Sequence, residues 1–285
     1  MSYLKSYLIY FKLRLICELQ YRSAALAGMS TQFFFGFIYI MIYNAFYNGT
    51  STINIPEIPI ISFIAGPQIE VSLSQMTTYL WLHQALYFLF LIRQMDNELL
   101  DQIKTGNIAY ELCKPLNLYL LWLIKIISKK VIGTLLRFWP IILVAFFLPK
   151  PFNLTPPSSL NSIILFLISL FLSLLISSLI TIFIHILTFY TLKEKGTISL
   201  VTTIGEFFMD GVIPIIFMPK FIQIIAYLLP FRYISDLPLR IYNGTININT
   251  AIINIIIQIF WILSLGIISY HLMNKALKKV VIQGG

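Results

Sequence analysis

Charged residues are scarce in this chain of 285 residues, since Asp, Glu, Lys and Arg together make up 11% of it. A typical soluble domain has about a quarter of its residues charged. Hydrophobic residues make up 58%. A soluble protein of this composition would expose large adhesive apolar patches. The shortage of charge therefore excludes a soluble globular domain, and the apolar content excludes a disordered chain.

Cysteine is nearly absent as well, because only Cys17 and Cys113 occur. They are far apart in segments that we predict to be cytoplasmic, where a structural disulfide is not expected. The sequence has no Cys/His spacing typical of a metal site and no phosphate-binding loop of the form GxxxxGK[ST]. It also has no HExxH and no GxSxG motif. We therefore predict that this chain is not an enzyme, with no catalytic residues, no metal site and no cofactor of its own.

Long apolar runs recur along the chain and predict transmembrane helices, each of which needs about 20 residues. We place six spans, at residues 24–47, 76–92, 131–148, 160–192, 199–218 and 251–273. The expected fold is an all-α integral membrane protein, with one transmembrane domain over residues 1–285.

The segments outside the spans differ in composition. Residues 1–23 repeat Leu and Phe on one side of a helical wheel, which predicts an interfacial helix on the cytoplasmic leaflet. Residues 48–75 contain no Lys or Arg and predict an extracytoplasmic loop. Residues 219–248 hold an apolar stretch that is too short to span and is bounded by prolines. Because helices break at such prolines, this segment predicts re-entrant helices on the outer side.

The positions of the basic residues determine the predicted orientation. The formal net charge is +9, and the six-span topology puts sixteen of the twenty Lys and Arg residues on one side. The positive-inside rule makes that side the cytoplasm, with both termini inside a cell membrane (plasma or inner). A basic chain also suits nucleic acid, but orientation explains the charge here, so no nucleic-acid partner is expected. The basic tail is expected to contact the lipid bilayer.

The first candidate functional site lies in residues 93–115. Acidic residues near the start of a predicted helix and a lysine near its end match the helix dipole, and a glycine follows as a C-cap. These residues are Asp96, Glu98, Asp101, Lys104 and Gly106. The residues alone leave two interpretations open, a solvated connector helix or a helix that docks into a soluble partner.

The second candidate site is a pair of acids within the predicted fifth span, Glu206 and Asp210. They lie four residues apart and so share one helix face. A carboxylate in the membrane is costly and faces a cavity, a partner or the bundle interior. One interpretation is a structural pair with a basic residue such as Arg137, and the other is a polar patch on a translocation path. Gly205 and Gly211 flank the acids and would permit close helix packing.

Several short motifs, in their order and spacing, resemble the permease subunits of type-2 ABC exporters, in the branch whose permeases are separate six-span polypeptides. The motifs are LQYR at 19–22, QFFFG at 32–36, TGNIAYEL at 105–112, KPL at 114–116, the stretch 211–214, LPF at 229–231, YNG at 242–244 and QGG at 283–285. The resemblance covers nearly the whole chain, although none of the motifs is a catalytic signature. Lys114 stands where many relatives have Arg, and Lys lacks the bidentate geometry of Arg.

The resemblance implies a division of work between subunits. Residues 93–115 would contain the coupling helix that contacts a separate nucleotide-binding ATPase subunit, which binds ATP and Mg, and residues 1–23 would form the connecting helix. The re-entrant segment would close the outer end, with Pro214, Pro230 and Phe231 at an outer gate. A second permease, identical or different, would complete the exporter.

The expected function is ATP-driven export of a small amphipathic or antibiotic-like substrate. Glu98 and Asp101 are the predicted coupling contacts, and Glu206 with Asp210 would favour cationic substrates. One alternative is an exporter of polysaccharide or another polymer, whose wide path the 23 Phe and 16 Tyr residues could line. The other alternative is a channel or membrane-scaffold protein without ATP coupling.

Overall fold

The computed structural model describes residues 3–47, 49–50, 52–55, 58, 61–66, 69–113, 115–191, 194–209 and 213–278. Within these ranges the chain forms twelve α-helices and one two-stranded antiparallel sheet. The helices are α1 (Tyr3–Glu18), α2 (Arg22–Tyr47), α3 (Ser62–Ala65), α4 (Leu73–Phe90), α5 (Asn97–Thr105), α6 (Ile108–Leu112), α7 (Leu118–Phe147), α8 (Leu160–Leu187), α9 (Glu194–Phe208), α10 (Lys220–Leu228), α11 (Arg232–Asn243) and α12 (Ile248–Leu277). The strands are β1 (Thr52–Ile55) and β2 (Ile69–Ser72).

Four helical segments of the described chain are long and apolar enough to cross a membrane. They are Ala25–Tyr47, Leu118–Phe147, Leu160–Tyr190 and Ile248–Leu277. These segments match the predicted first, third, fourth and sixth spans. The predicted second and fifth spans form α4 and α9, which have only 18 and 15 residues and do not reach the same length and hydropathy. The chain is therefore a multi-pass membrane protein with four apolar spans and two shorter helices.

Two predicted boundaries are wrong. Helix α9 ends at Phe208 and not at residue 218. Pro214, which begins a short 3-10 turn, disfavours helix in the residue before it. Helix α7 begins at Leu118 and not at residue 131, because the side chain of Asn117 caps it by accepting a hydrogen bond from the Leu120 N–H at 3.2 Å. At 30 residues α7 is about 45 Å long, so one end projects beyond the hydrocarbon core of about 30 Å.

The N-terminal helix α1 packs along α7. The hydroxyl of Tyr7 accepts a hydrogen bond from the backbone N–H of Asn117 at 2.9 Å, which fixes the start of α7 against α1. Phe11 and Leu15 of the predicted apolar stripe are half-buried, whereas Leu13, outside that stripe, is 55% exposed. A helix forms here as predicted, but its apolar stripe is divided, because Leu8 of the same stripe is 60% exposed.

Helix α8 is the central helix of the bundle and packs against α12, α11 and α7. A row of fully buried small hydroxyl residues lets neighbouring backbones approach it closely. The row comprises Ser169, Ser173, Ser177, Ser178 and Thr181. Ser173 Oγ donates to the Tyr233 carbonyl at 3.1 Å, and Ser177 Oγ donates to the Leu89 carbonyl at 2.9 Å. The start of α11 and the end of α4 therefore meet α8 about one turn apart.

Helices α10 and α11 have nine and twelve residues and are too short to cross a bilayer. The turn between them contacts α8 near Ser173, about 20 Å along the helix from Leu160. The start of α11 thus lies near the middle of α8.

The predicted loop at 48–75 contains a β-hairpin that the prediction of an all-α fold missed. Strands β1 and β2 pair antiparallel, with Thr52 opposite Ser72. The hydroxyl of Tyr47 donates to the Val71 carbonyl at 3.0 Å, which joins the hairpin to the end of α2. Ser72 also forms a capping box with Gln75 and so begins α4 directly after β2.

Candidate functional site

Helix α5 forms in the acidic segment, as predicted, and it is capped by the residues directly before and after it. The side chain of Asp96 accepts a hydrogen bond from the Leu99 N–H at 3.1 Å, so Asp96 is the N-cap. Gly106 ends the helix in the left-handed conformation with φ 72°, which confirms the predicted C-cap. Leu99 and Leu100 are buried, and they fix this short helix to the body of the protein.

An ionic cluster joins α5 to two other helices, and we call Arg14, Asp96, Glu98 and Lys125 the α5 cluster. Lys125 Nζ of α7 lies 2.9 Å from Asp96 Oδ1 and 2.5 Å from Glu98 Oε2. Arg14 of α1 lies 3.8 Å from the same Glu98 oxygen. The backbone N–H of Asp96 also donates to His185 Nε2 of α8 at 3.1 Å. A displacement of α5 would therefore reach α1, α7 and α8 together.

Lys125 favours the charged form of Asp96 in the α5 cluster. Burial alone raises the pKa of Asp96, but the charge and hydrogen bond of Lys125 and the hydrogen bond from Leu99 outweigh burial. The pKa of Asp96 is consequently lower than its ordinary value, and the carboxylate is held in its charged form.

The predicted contact residues of α5 fall into two groups. Asp96 is buried and interacts within the protein. The side chains of Glu98, Asp101 and Lys104 are 57%, 70% and 50% exposed, respectively. After α5, Tyr110 is 76% exposed, although its sequence gave no reason to single it out as a contact. The exposed side chains of this segment are thus polar on α5 and aromatic at Tyr110.

Glu206, one of the two acids of the predicted fifth span, forms an ion pair with a basic residue of another segment. Glu206 forms a bidentate ion pair with Arg93, whose Nε and Nη2 lie 2.8 Å and 2.7 Å from its carboxylate oxygens. Arg137 instead lies over the ring of Phe88, with 4.2 Å between its guanidinium carbon and the ring centroid. The interpretation of a structural ion pair therefore holds for Glu206, with Arg93 and not Arg137 as its partner. Asp210, with Gly211, lies outside the described residues.

Gly205 provides the close approach that its position predicted. A Cβ added there would lie 2.9 Å from Phe231 Cε1 and would overlap Ile92 Cδ1. Helix α9 therefore packs at this glycine against the end of α4 and against the turn before α11. Phe231, predicted at an outer gate, lies in this junction between Pro230 and α11.

The outer segment contains a second ionic cluster, which sequence reasoning did not find. We call Arg232, Asp236, Arg240 and Asn254 the α11 cluster. Arg232 Nε lies 2.8 Å from Asp236 Oδ2, and Arg232 Nη1 donates to Asn254 Oδ1 at 3.0 Å. Arg240 lies 4.0 Å from the same Asp236 oxygen, and its Nη2 donates to the Ala65 carbonyl at 3.1 Å. The predicted topology places both arginines on the outer side, and in the structure both are buried within the protein.

A small polar cavity of about 200 Å³ lies between α2 and α4. Its lining combines polar and aromatic side chains, namely Thr31, Gln32, Phe35, Tyr39, His83, Gln84 and Tyr87. Within the described residues Gln32 Oε1 has no hydrogen-bond partner, although it is buried. Tyr87 also interacts electrostatically with Glu206 and Arg93. We call the cavity lining together with the Arg93–Glu206 pair the polar surface. The sequence signal was present as the polar residues interrupting the predicted second span.

The described ranges contain no candidate metal site. No three His, Cys, Asp or Glu side chains there come close enough to hold a metal ion. Cys17 and Cys113 are exposed free thiols.

The fold and these sites define a multi-pass membrane transport component, with an exposed helix linked to the bundle on one side and a polar surface between its helices. The family described as ABC-2 family transporter protein matches residues 69–284, about three quarters of the chain. The chain belongs to this family and is an ABC-2-type permease. Comparisons with curated proteins and with solved structures find no match.

Proposed function

We propose that this chain is the permease subunit of an ATP-driven exporter and that α5 is its coupling helix. The observation that carries this proposal is the α5 cluster, because it connects an exposed helix to three helices of the bundle at once. Family membership supports it, since permeases of this kind work with ATP-binding subunits. ATP and Mg would be bound by a separate ATPase subunit, and a second permease, identical or different, would complete the transporter.

The proposed orientation has six crossings and both termini in the cytoplasm of the cell membrane. Helices α4 and α9 would provide the second and fifth crossings, and the α10–α11 pair would re-enter from the outer side. Short helices are tolerated at membrane depth where they are buried in protein, and Trp81 of α4 is fully buried. Lys129 and Lys130 of α7 lie in the projecting half of that helix, as the positive-inside rule requires.

The proposed mechanism is alternating access driven by the ATPase. Closure of the ATPase subunits would push on the exposed face of α5 that carries Asp101 and Lys104. The α5 cluster would then transmit the displacement to α1 and α7. The end of α4, from which the α5 segment departs, also contacts α9 at Gly205. Movement of α5 would therefore reach the polar surface and the turn at Phe231.

The proposed path runs along the polar surface of α2, α4 and α9. Its aromatic and amide groups suit a small amphipathic substrate with polar groups that accept and donate hydrogen bonds. The charge of Glu206 is balanced by Arg93. Glu206 in this pair therefore does not support a preference for cationic substrates. Opening of the Arg93–Glu206 pair would be needed before Glu206 could bind a cation.

The proposal is tested by purification of the tagged permease from its own membranes, with identification of co-purifying proteins by mass spectrometry. An ABC-type ATPase should co-purify with the wild type and be lost from the double variant D101K/K104E. Because Asp101 and Lys104 are exposed, this charge reversal should leave the fold intact. The matched control is K150E, a charge reversal on an exposed residue in the predicted outer turn.

The same experiment distinguishes the alternatives. If no ABC-type ATPase accompanies the wild type, the proposal is wrong and a channel or scaffold protein is supported. If the ATPase stays bound to D101K/K104E, a coupling role for this face of α5 is wrong. Stimulation of the ATPase by polymers and not by small amphiphiles would favour the polysaccharide exporter.

A further inference from the structure

A larger cavity, of about 410 Å³, lies beside the α5 cluster between α1, α2 and α7. It is distinct from the polar surface of the proposed path, because neither Glu206 nor the lining of the α2–α4 cavity contributes to it. Four of its lining residues follow one another on α7 at intervals of four, namely Lys125, Lys129, Gly133 and Arg137. Residues at this spacing share one helix face, so α7 presents a column of cations to the cavity.

The cations of the cavity exceed its carboxylates. Four cationic side chains and three carboxylates line it. Asp96 and Glu98 are already paired with Lys125 and approached by Arg14. Glu18 is the third carboxylate of the lining, and it interacts electrostatically with Lys129. Among the described residues no hydrogen bond or ion pair is formed by Lys129.

Glu18 is a weak counter-charge in this position. Burial raises the pKa of Glu18, and the positive charge of Lys129 only partly offsets this effect. The half-buried carboxyl group therefore has a reduced tendency to be charged. An anion that enters the cavity would meet Lys129 without a strong competitor on α1.

One part of the cavity wall is apolar. Ala25, Phe88, Ile132 and Leu136 line it, and the ring of Phe88 lies against Gly133 because that residue has no side chain. A cavity with a cationic side and an apolar side fits an amphiphile whose head is anionic. Basic pockets between transmembrane helices on the cytoplasmic side are typical sites for anionic lipid headgroups.

We infer that this cavity binds the phosphate group of an anionic phospholipid from the cytoplasmic leaflet, with Lys129 as the main phosphate contact. The leaflet follows from the proposed orientation, whereas the binding itself does not depend on the ATPase. The phosphate would lie between Lys129 and Arg137, which are two helical turns, or about 12 Å, apart along α7. The acyl chains would follow the apolar wall toward the bilayer.

The test uses the purified full-length permease alone in detergent, so its result is separate from that of the ATPase pull-down. Phosphatidylglycerol, phosphatidylcholine, glycerol 3-phosphate and inorganic phosphate are titrated, with thermal stability and native mass spectrometry as readouts. Phosphatidylglycerol should raise Tm and stay bound in the mass spectrometer, and phosphatidylcholine should bind at least several times more weakly. If the soluble phosphates give the same shift as phosphatidylglycerol, the lipid source is wrong.

Three variants assign the site. K129Q should weaken phosphatidylglycerol binding about fivefold, as expected for one basic residue at a membrane surface. K129R should retain binding, and E18Q should strengthen it because the competing carboxylate is gone. K278Q, on an exposed lysine at the end of α12, is the matched control. Unchanged binding in K129Q, or weaker binding in E18Q, would overturn the inference.

Discussion

The α5 cluster and the α11 cluster each join several helices through arginine or lysine and a carboxylate, but they differ in burial. In the α5 cluster the side chain of Glu98 is 57% exposed, and its link to Arg14 is 3.8 Å long. In the α11 cluster the side chains of Arg232 and Asp236 are 0% and 2% exposed. One cluster is open to solvent at its edge, and the other is closed inside the protein.

This difference determines what each cluster can do. The exposed Arg14–Glu98 pair contributes little to stability and can rearrange, whereas the Lys125–Asp96 pair of the same cluster is buried. A buried pair cannot lose one partner without leaving an uncompensated charge. The α11 cluster also contacts α12 through Asn254 and the short helix α3 through the Ala65 carbonyl. We interpret the α5 cluster as the part that moves and the α11 cluster as an anchor of the outer half.

The largest effect on stability is expected in the α11 cluster. D236N removes the only carboxylate of the α11 cluster and leaves Arg232 and Arg240 buried without a counter-charge. We expect a loss of about 3–5 kcal/mol in the free energy of unfolding, the usual result of breaking a buried pair. Thermal unfolding of the permease in detergent, followed by tryptophan fluorescence, measures it.

A double variant separates charge from packing in this prediction. R232M/D236L replaces both charged partners by apolar side chains and should recover a large part of the stability lost in D236N. If D236N unfolds at the wild-type temperature, the α11 cluster is not an anchor and the contrast with α5 fails.

The next largest effect is expected where α9 packs against the residues that follow α4 and the turn before α11. G205A places a methyl group against Ile92 and Phe231, which must move to accommodate it. We expect a destabilisation of about 1–3 kcal/mol from this overpacking. G196A, on the same helix α9, is the control, because no atom lies within 4 Å of the position of its added Cβ. Equal unfolding temperatures for the two variants would show that α9 does not pack tightly at Gly205.

The sequence was sufficient for features that depend on local composition. Apolar runs identified the four long spans because burial in lipid requires about 20 apolar residues in succession. The C-cap of α5 was predicted at Gly106 and the start of the helix near Asp96, because both signals act on backbone groups a few residues away. The turn between α10 and α11 was also predicted, since Pro230 breaks the helix there.

Features that depend on distant partners were not predictable. Arg93 pairs with Glu206, although 113 positions separate them in the chain, and no local signal distinguishes Arg93 from the other cytoplasmic cations. Arg232 and Arg240 resemble exposed loop residues until helix packing buries them. The start of α7 was missed because its lysines looked like a solvated segment, yet Lys130 is buried and donates to the Leu91 carbonyl at the end of α4.

A smaller effect on stability is expected in the α5 cluster. E98Q weakens the links of α5 to Lys125 and Arg14, but because Glu98 is exposed the loss of stability should stay below about 1 kcal/mol. Substrate-stimulated ATPase activity of the permease assembled with its ATPase should nevertheless fall several-fold. The reason is that α5 would no longer move α1 and α7 with it. K220Q, a charge removal on the exposed start of α10, is the control. Full coupling in E98Q would show that the ionic links of α5 are only structural.

The smallest expected effect is the pH dependence of stability that the charge of Asp96 gives to the α5 cluster. The pKa of Asp96 lies below its ordinary value of 3.8, because Lys125 and the capped helix end favour the charged form more than burial disfavours it. The resulting stabilisation is fully present above the unfolded pKa and is lost as the pH falls through the lowered pKa. D96N keeps a capping side chain but lacks the charge, so its unfolding temperature should be lower than that of the wild type at neutral pH. The two proteins should converge as the pH falls from about 5 into the range below the unfolded pKa. A difference that stays constant down to acid pH would mean that Asp96 acts only as a helix cap, and that Lys125 does not link α5 to α7 through its charge.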